Sequence, residues 1–453
     1  MPSQERTLTP EQIALSIERK RKKAEAALKA PSVQKPVEGV KILERKWLTS
    51  PNIKEETITN SITVMTWNML AQCLVRRELF PTSDCLKAQQ RQGMLHEEIR
   101  RSDADIICLQ EVDRLESLVP FLESLGYSHT YSCGPRKKHG CLIAYRAQVF
   151  AKVTDWTVFY DDSEIRKDGE DASFRRGSSF RTRNIGLLVA LEQVSSKETI
   201  VIATTHLFWH PRYTYERARQ AYILARSVEE FKAAHDLKNS PSVIAGDFNF
   251  TPTDPAYSML VGDPVLSTRA ADFTVSRVVH VSLDPSVPIA DPKKAVDDEE
   301  DGGEQPEEED PDRVIKNARP ARPEDGLLEA GELEKLFIDG SAGEPLQSLY
   351  DQWQFHGPGR AFVSRAPEAV NRRGKNEPIY SSYTHFWKST LDYIFARPGQ
   401  GSQLEVVSVL EPPSEEELSP GLPRKGVCGS DHISLCARIS FTPVSRPEDD
   451  TLA

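Results

Sequence analysis

Glu111, His206, Asp247 with Asn249, Asp392 and His432 are the residues of this chain whose types and spacing could do chemistry. Each belongs to a short β-rich segment that ends in, or starts from, a polar cluster: Ile106–Asp113, Val201–Pro211, Val243–Pro252, Leu391–Phe395 and Ser430–His432, with Val64–Asn68 as a further example. A buried strand that runs out in a polar group delivers it to the edge of a sheet, where α/β enzymes place ligands and chemistry. A carboxylate in the position of Glu111 is a hard oxygen ligand suited to Mg²⁺; standing alone, it reads equally well as a surface charge. Asp247 and Asn249 are two residues apart, so an extended backbone would point both the same way. The carboxylate could then orient and deprotonate a water while the amide donates to a phosphate oxygen, although the same segment fits an Asx-rich turn. Asp392 could hold His432 in one tautomer and keep it protonated towards a phosphate. A lone histidine is more often structural, but two histidines and three carboxylates at strand ends shift the balance towards function. The chain has no serine in a nucleophile elbow, no Walker-type glycine loop and no zinc spacing. What remains points to metal-assisted attack of water on a phosphate ester.

The elements that must position these groups alternate between short β-rich runs and helical patterns from residue 61 to residue 440. Residues 88–101, 114–125 and 214–234 are expected to be helices, the last with Ala218, Tyr222, Ala225 and Val228 on one face. Residues 186–191 and 199–204 are continuously apolar rather than alternating, as expected of strands covered on both faces. The pattern predicts a layered α/β domain. Residues 161–183 are charged and contain Gly and Ser, which predicts a long surface loop. Residues 281–345 combine an acidic run with many prolines and few aromatics, a composition that predicts a disordered insertion within one domain. Residues 1–60 read as a polar, partly helical tail with a basic run at Arg19–Lys23, and residues 441–453 as a flexible C-terminal tail.

The 453 residues carry a net charge of −11, at first sight wrong for a protein that handles nucleic acid. Between Asp297 and Asp312, however, there are eleven acidic residues and no basic ones, which accounts for the whole excess. Net charge therefore does not argue against a polyanionic substrate. Seven cysteines with no CxxC pair suggest a reducing compartment. No apolar run approaches the ~20 residues needed to span a bilayer, and no secretory signal opens the chain. A soluble intracellular protein, cytoplasmic or nuclear according to how Arg19–Lys23 is read, is expected, with no membrane partner.

The ordered motifs WN, LQE, TH followed by WxP, GDFN, LDYIF and SDH resemble the endonuclease/exonuclease/phosphatase superfamily with the DNase I-like fold, over residues 61–440. Within it the chain resembles the branch of catabolite-repressor deadenylases, nocturnin and Angel. It is most similar to the fungal Ngl RNA exonucleases, through Asn68–Pro81 and Thr205–Gln220. The resemblance implies an α/β four-layer sandwich of two mixed β-sheets flanked by helices. It implies Glu111 as principal Mg²⁺ ligand, with Mn²⁺ as a substitute, supported by Asn68 and Asp431. Asp247 would activate water, Asn249 and His206 would bind the scissile phosphate, and His432, buttressed by Asp392, would stabilise the transition state. Trp387 and Pro211 match positions that sandwich a base, and Asn184 and Arg183 match a region that borders the phosphate. The implied activity is 3′ to 5′ hydrolysis of RNA to nucleoside 5′-monophosphates, in ribosomal RNA 3′-end processing or poly(A) shortening. A nocturnin-like phosphatase on a dinucleotide 2′-phosphate, and an RNA-binding scaffold with a vestigial site, are the alternatives. Leucine-rich repeats are absent, so docking to the large deadenylase assembly is not expected, and the acidic insertion is a candidate surface for a partner.

Overall fold

Runs of aliphatic and β-branched residues pair into two large mixed sheets. The structure is a computed structural model that describes residues 40–50, 53–288, 317–353 and 372–444. One sheet holds β1 (Trp47–Thr49), β2 (Ile62–Asn68), β3 (Ile106–Val112), β4 (Tyr127–Ser132), β5 (Gly140–Arg146), β16 (Ser402–Leu410) and β17 (Leu435–Pro443), in the order β1-β16-β17-β2-β3-β5-β4. The other holds β6 (Phe150–Phe159), β7 (Ile185–Gln193), β8 (Thr199–His206), β9 (Ser242–Asp247), β12 (Gln347–Ser348) and β15 (Asp392–Arg397), in the order β12-β15-β9-β8-β7-β6. Two small hairpins, β10 (Val278–His280) with β11 (Ala318–Pro320) and β13 (Ser382–Tyr383) with β14 (Lys388–Ser389), complete the described strands. Near the middle of each large sheet lies a parallel pair, β2 with β3 and β8 with β9.

Successive residues of a strand point to opposite faces, and here both faces are covered. Val64, Ile106 and Ile143 of the first sheet meet Leu187, Val189, Ile202, Val243 and Ile394 of the second in the central core. On the outside of the first sheet Met65, Trp67, Ile107 and Leu109 pack on Ile99, Leu118 and Leu122 of the helices Ala88–Ser102 and Leu115–Ser124. On the outside of the second, Leu188, Ala203, Ile244 and Phe395 pack on Ala218, Tyr222, Ala225 and Val228 of the helix Thr214–Ala234. This is the expected four-layer sandwich. Each fully buried side chain of this kind is worth about 1.5–3 kcal/mol, so the strands form a rigid platform for whatever stands at their ends.

Three expected boundaries are corrected. The fold starts before residue 61, because β1 adds an edge strand on β16 and the buried guanidinium of Arg45 pairs with Glu98 and Ser434. Residues 1–39, with the basic run Arg19–Lys23, lie outside the described residues. At the other end β17 runs to Pro443, so that residues 441–443 belong to the sheet. The proline-rich insertion is ordered over 317–345, where Leu327, Leu328 and Leu333 join the core and Ala330–Ile338 is a helix. Its mean composition hid this apolar half, and the acidic run of residues 297–312 lies outside the described residues.

The expected surface loop 161–183 is exposed over residues 167–171, and its flanks are tied down. Ile165, Ser179 and Phe180 are buried, and a fully buried ion pair on the adjoining helix, Arg219 with Glu216 at 3.1 Å, satisfies its backbone. Glu216 accepts from the Ser179 N–H at 2.8 Å, while Arg219 donates to the carbonyls of Tyr160, Ser163 and Arg176 at 3.0, 2.8 and 2.7 Å. Arg219→Ala would leave the Glu216 carboxylate buried without its counter-charge and would take the guanidinium donor from these carbonyls. A loss of about 3–5 kcal/mol in urea unfolding is expected.

Candidate active site

The two parallel pairs end at one common edge of the sandwich. Register places His206 opposite Asp247 on β8 and β9, and Asp247 opposite Asp392, which opens the antiparallel β15. Asn68, the last residue of β2, closes the gap between the sheets. Its amide donates to Glu111 Oε1 at 2.8 Å and to Asp247 Oδ2 at 2.9 Å, while its own Oδ1 accepts from the Leu70 N–H at 3.0 Å. One layer deeper Gln110 makes a parallel link, donating to Thr204 Oγ1 of the other sheet at 2.9 Å.

Glu111 stands where the pairing of β3 with β5 slips between Leu109 and Val112, and it has φ +54°. Such a bulge beside a site re-aims a side chain, and a non-glycine left-handed residue costs about 1–3 kcal/mol unless its surroundings hold it. They do so here through Asn68 and through the Ala71 N–H, which donates to Glu111 Oε2 at 2.8 Å. Arg91, itself buried, donates to the carbonyls of Met69 and Leu70 and so fixes the loop that carries Ala71.

His206 faces both carboxylates, with Nδ1 at 3.9 Å from Glu111 and Nε2 at 3.7 Å from Asp247. On the other side His432 Nε2 is 3.7 Å from Asp247, and its Nδ1 is hydrogen-bonded to Asp392 Oδ2 at 2.7 Å. Asp392 is fixed in turn by Ser381, whose hydroxyl donates to the same oxygen at 2.7 Å. Asp431 is 7% exposed beside this pair. The Asp392–His432 contact expected from sequence is therefore made.

Electrostatics divides the groups. Burial pushes the Glu111 carboxyl above the usual carboxylate range and the charge of Asp431 adds to this, against the pull of His139. Burial also raises Asp247, with His432 and His206 opposing. Burial pulls His432 down, but Asp392, Asp247 and Asp431 together outweigh it and hold the imidazole protonated well above its ordinary range. The site thus holds His432 as a cationic imidazole among several buried carboxyl groups. Hard oxygen donors that repel one another in a buried site suit a divalent cation, and Glu111 with Asp431 fits that description. Asp247, Asp392 and His432 also offer ligand atoms within 4.8 Å of one another. There, however, the surrounding carboxylates hold His432 protonated, and a cationic imidazole has no lone pair to offer a metal, which favours acid–base work over ligation.

One expectation meets a different local geometry. Asn249 is not in line with Asp247. Strand β9 ends at Asp247, and Asn249 has φ +53°, its N–H donating to Asp247 Oδ1 at 3.0 Å in an Asx turn and its amide donating to the Leu207 carbonyl at 3.0 Å. Trp387 lies half-buried in the turn between β13 and β14, next to the exposed His385 and Phe386. Pro211 is exposed in the loop after β8, where its carbonyl accepts from Arg217 at 2.8 Å. Asn184 is buried and accepts from Lys137, and the adjacent Arg183 has φ +56° with its N–H on Asp161 Oδ2 at 2.8 Å. The sequence reading overlooked Arg91 and His139. His139 is 5% exposed, and its ring centroid lies 6.4 Å from that of His206. It precedes a strand instead of ending one, which is why a search of strand ends passes it by.

None of the seven cysteines is in a disulfide. Among the described residues no helix is long and apolar enough to cross a membrane.

Comparison with known proteins gives the following. A family model described as Endonuclease/Exonuclease/phosphatase family matches residues 65–432. The chain is 28% identical over 463 residues to a probable RNA exonuclease of Schizosaccharomyces pombe, covering 96% of this chain and 88% of that protein. It is 30% identical over 423 residues to the RNA exonuclease NGL2 of Saccharomyces cerevisiae, covering 82% of this chain and 76% of that protein. Among solved structures, ANGEL2, described as a 2′,3′-cyclic phosphatase in complex with adenosine-2′,3′-vanadate, superposes with a TM-score of 0.57 at 21% identity, over 89% of this chain and 100% of that one. The last likeness concerns the fold alone.

Proposed function

The chain belongs to the endonuclease/exonuclease/phosphatase family, and on that premise we propose that it is a 3′ to 5′ RNA exonuclease, a hydrolase that cuts phosphodiesters with the help of Mg²⁺. The observation that carries the reading is the Asn68 amide, which bridges Glu111 and Asp247 across the two sheets with His206 and His432 on either side. The RNA exonucleases of the two yeasts, similar along most of their length, support RNA as substrate.

In this reading Glu111 and Asp431 hold the metal, and Asn68 fixes the spacing of Glu111 and Asp247. The bound cation would supply positive charge for the non-bridging phosphate oxygens. Asp247 orients a water and accepts its proton as the oxygen attacks phosphorus. The bond from phosphorus to the 3′ oxygen breaks, that oxygen leaves with the electron pair and takes a proton from solvent to become the new 3′-hydroxyl of the shortened RNA, and the released nucleotide keeps its 5′-phosphate. His206 and the cationic His432 donate to the phosphate oxygens as charge grows on them. Asp392 keeps His432 in place and protonated. Asn249 serves the site by holding the loop after β8 through Leu207, and Asn184 with Arg183 lines the phosphate side.

Trp387 and Pro211 are the proposed walls for the terminal base. Stacking on an aromatic face is worth about 1–3 kcal/mol per base, so Trp387→Ala should raise KM for an oligoribonucleotide by about tenfold. Turnover of bis(4-nitrophenyl) phosphate, which has no base, should stay at the wild-type rate. Equal losses on both substrates would place Trp387 in support of the fold instead. The reading itself is tested with a 3′-hydroxyl oligoribonucleotide and Mg²⁺, in adenosine-rich and mixed sequence. Progressive shortening with release of 5′-monophosphates is expected. Phosphate release from a dinucleotide 2′-phosphate with no shortening of RNA would replace the reading by a phosphatase.

A further inference from the structure

We propose that His139 is a further substrate-contacting residue of this site, its imidazole donating a hydrogen bond to a non-bridging oxygen of the scissile phosphate. The inference rests on the phosphodiesterase reading above and deepens it.

Topology places the residue. Strand β5 pairs antiparallel with β3, with Gly140 opposite Val112. The start of β5 therefore lies at the same edge as the end of β3, and His139 stands immediately before that start, beside Glu111. The His139 and His206 ring centroids are 6.4 Å apart and tilted by 47°. Two imidazoles at that separation can each place an N–H within the 2.7–3.2 Å of a hydrogen bond to one tetrahedral anion. His139 also lies close enough to Glu111 to pull its carboxyl back against the effect of burial.

The loop that carries His139 is pinned rather than free to move. A Cβ on Gly134 would lie 1.8 Å from the Arg183 carbonyl oxygen, and one on Gly140 would lie 2.2 Å from the Ser132 carbonyl oxygen. Between these close approaches Lys137 donates to Asn184 Oδ1. The Asn184 Nδ2 is a buried donor without a hydrogen-bond partner. The basic run Arg136–Lys138 makes the loop electropositive, the sign that draws in a phosphodiester chain. A histidine that merely filled space would not need a cationic, doubly anchored loop turned towards the carboxylates.

The test compares wild type, His139→Ala and His139→Gln on two substrates, a 3′-hydroxyl oligoribonucleotide and bis(4-nitrophenyl) phosphate, each across a Mg²⁺ titration. Loss of one preorganised donor costs about 100-fold in kcat. A drop of that size on both substrates is expected for His139→Ala, at an unchanged melting temperature and metal-activation midpoint. His139→Gln, which restores an N–H donor, should recover about tenfold of the loss. Wild-type rates in His139→Ala would overturn the inference. So would a loss erased by added metal, which would make His139 a support of the cation site, or a loss confined to RNA. Should His139→Ala fail to fold, a His139→Gln enzyme with wild-type rates on the diester would overturn it as well. If wild type cleaves the diester but leaves RNA intact, the RNA reading fails while the diester series still decides His139.

Discussion

Glu111→Ala is expected to lower phosphodiester turnover by about 10³-fold or more, a loss of about 4 kcal/mol of transition-state stabilisation. The cause is electrostatic. Glu111 is held in a left-handed conformation at a bulge, with both carboxylate oxygens aimed by Asn68 and Ala71. Such an arrangement is costly for a residue that only closes a sheet edge. Burial raises its carboxyl, so the folded state binds the proton more tightly than the unfolded chain. Metal-free stability should therefore fall as pH rises from the ordinary carboxylate value through the raised one. Glu111→Gln removes that desolvated charge but sacrifices an acceptor for Asn68, worth about 1 kcal/mol. The two effects oppose, and the metal-free variant should unfold at a urea midpoint close to wild type at pH 7 while remaining inactive. A stable, inactive Glu111→Gln protein is the signature of a residue kept for chemistry. A variant that retains a tenth of wild-type turnover would remove Glu111 from the centre of the mechanism.

Asp392→Asn is the second large effect, expected at about 10²–10⁴-fold in kcat, by analogy with loss of the aspartate behind any catalytic histidine. Asp392 Oδ2 is 2.7 Å from His432 Nδ1 and is the strongest of the carboxylates that hold the imidazole protonated. An amide there would remove the charge while nearly preserving the shape. The pKa of His432 should fall, and with it the alkaline limb of the kcat/KM profile should move to lower pH. Stability follows the same sign. A histidine raised in the folded state contributes stability that is fully present below about 6.5 and lost as pH rises through the folded value. Asp392→Asn should therefore flatten the dependence of unfolding free energy on pH above 6.5. A profile with an unshifted alkaline limb would mean that His432 does not act as the cationic donor.

How far these features were legible depended on whether the signal was local. Glu111, His206, Asp247 and Asp392 each adjoin an apolar run, and the sheets bring exactly those positions to one edge because both parallel pairs end there. The helix Thr214–Ala234 was readable from its apolar face. What that face did not reveal was Arg219 with Glu216, which are polar in sequence yet fully buried, since their partners are loop carbonyls and a loop N–H tens of residues away. Arg45 escaped for the same reason, its partners lying at Glu98 and Ser434. The extended reading of Asp247 and Asn249 failed because Asn249 turns left-handed and hydrogen-bonds back to Leu207. The folded half of the insertion was masked by averaging Leu327, Leu328 and Leu333 with the proline-rich sequence around them. In each case the missing information was the identity of a distant hydrogen-bonding or packing partner.

Metal-dependent removal of nucleotides from the 3′ end of RNA is tested by a time course on a 5′-labelled oligoribonucleotide ending in a 3′-hydroxyl. Wild type and Glu111→Ala would be run side by side with and without Mg²⁺. The predicted result is a ladder of single-nucleotide steps receding from the 3′ end, present only with wild type and metal, and accompanied by nucleoside 5′-monophosphates. Internal cuts, an undiminished ladder with Glu111→Ala, or intact RNA with folded wild type and Mg²⁺ would contradict it.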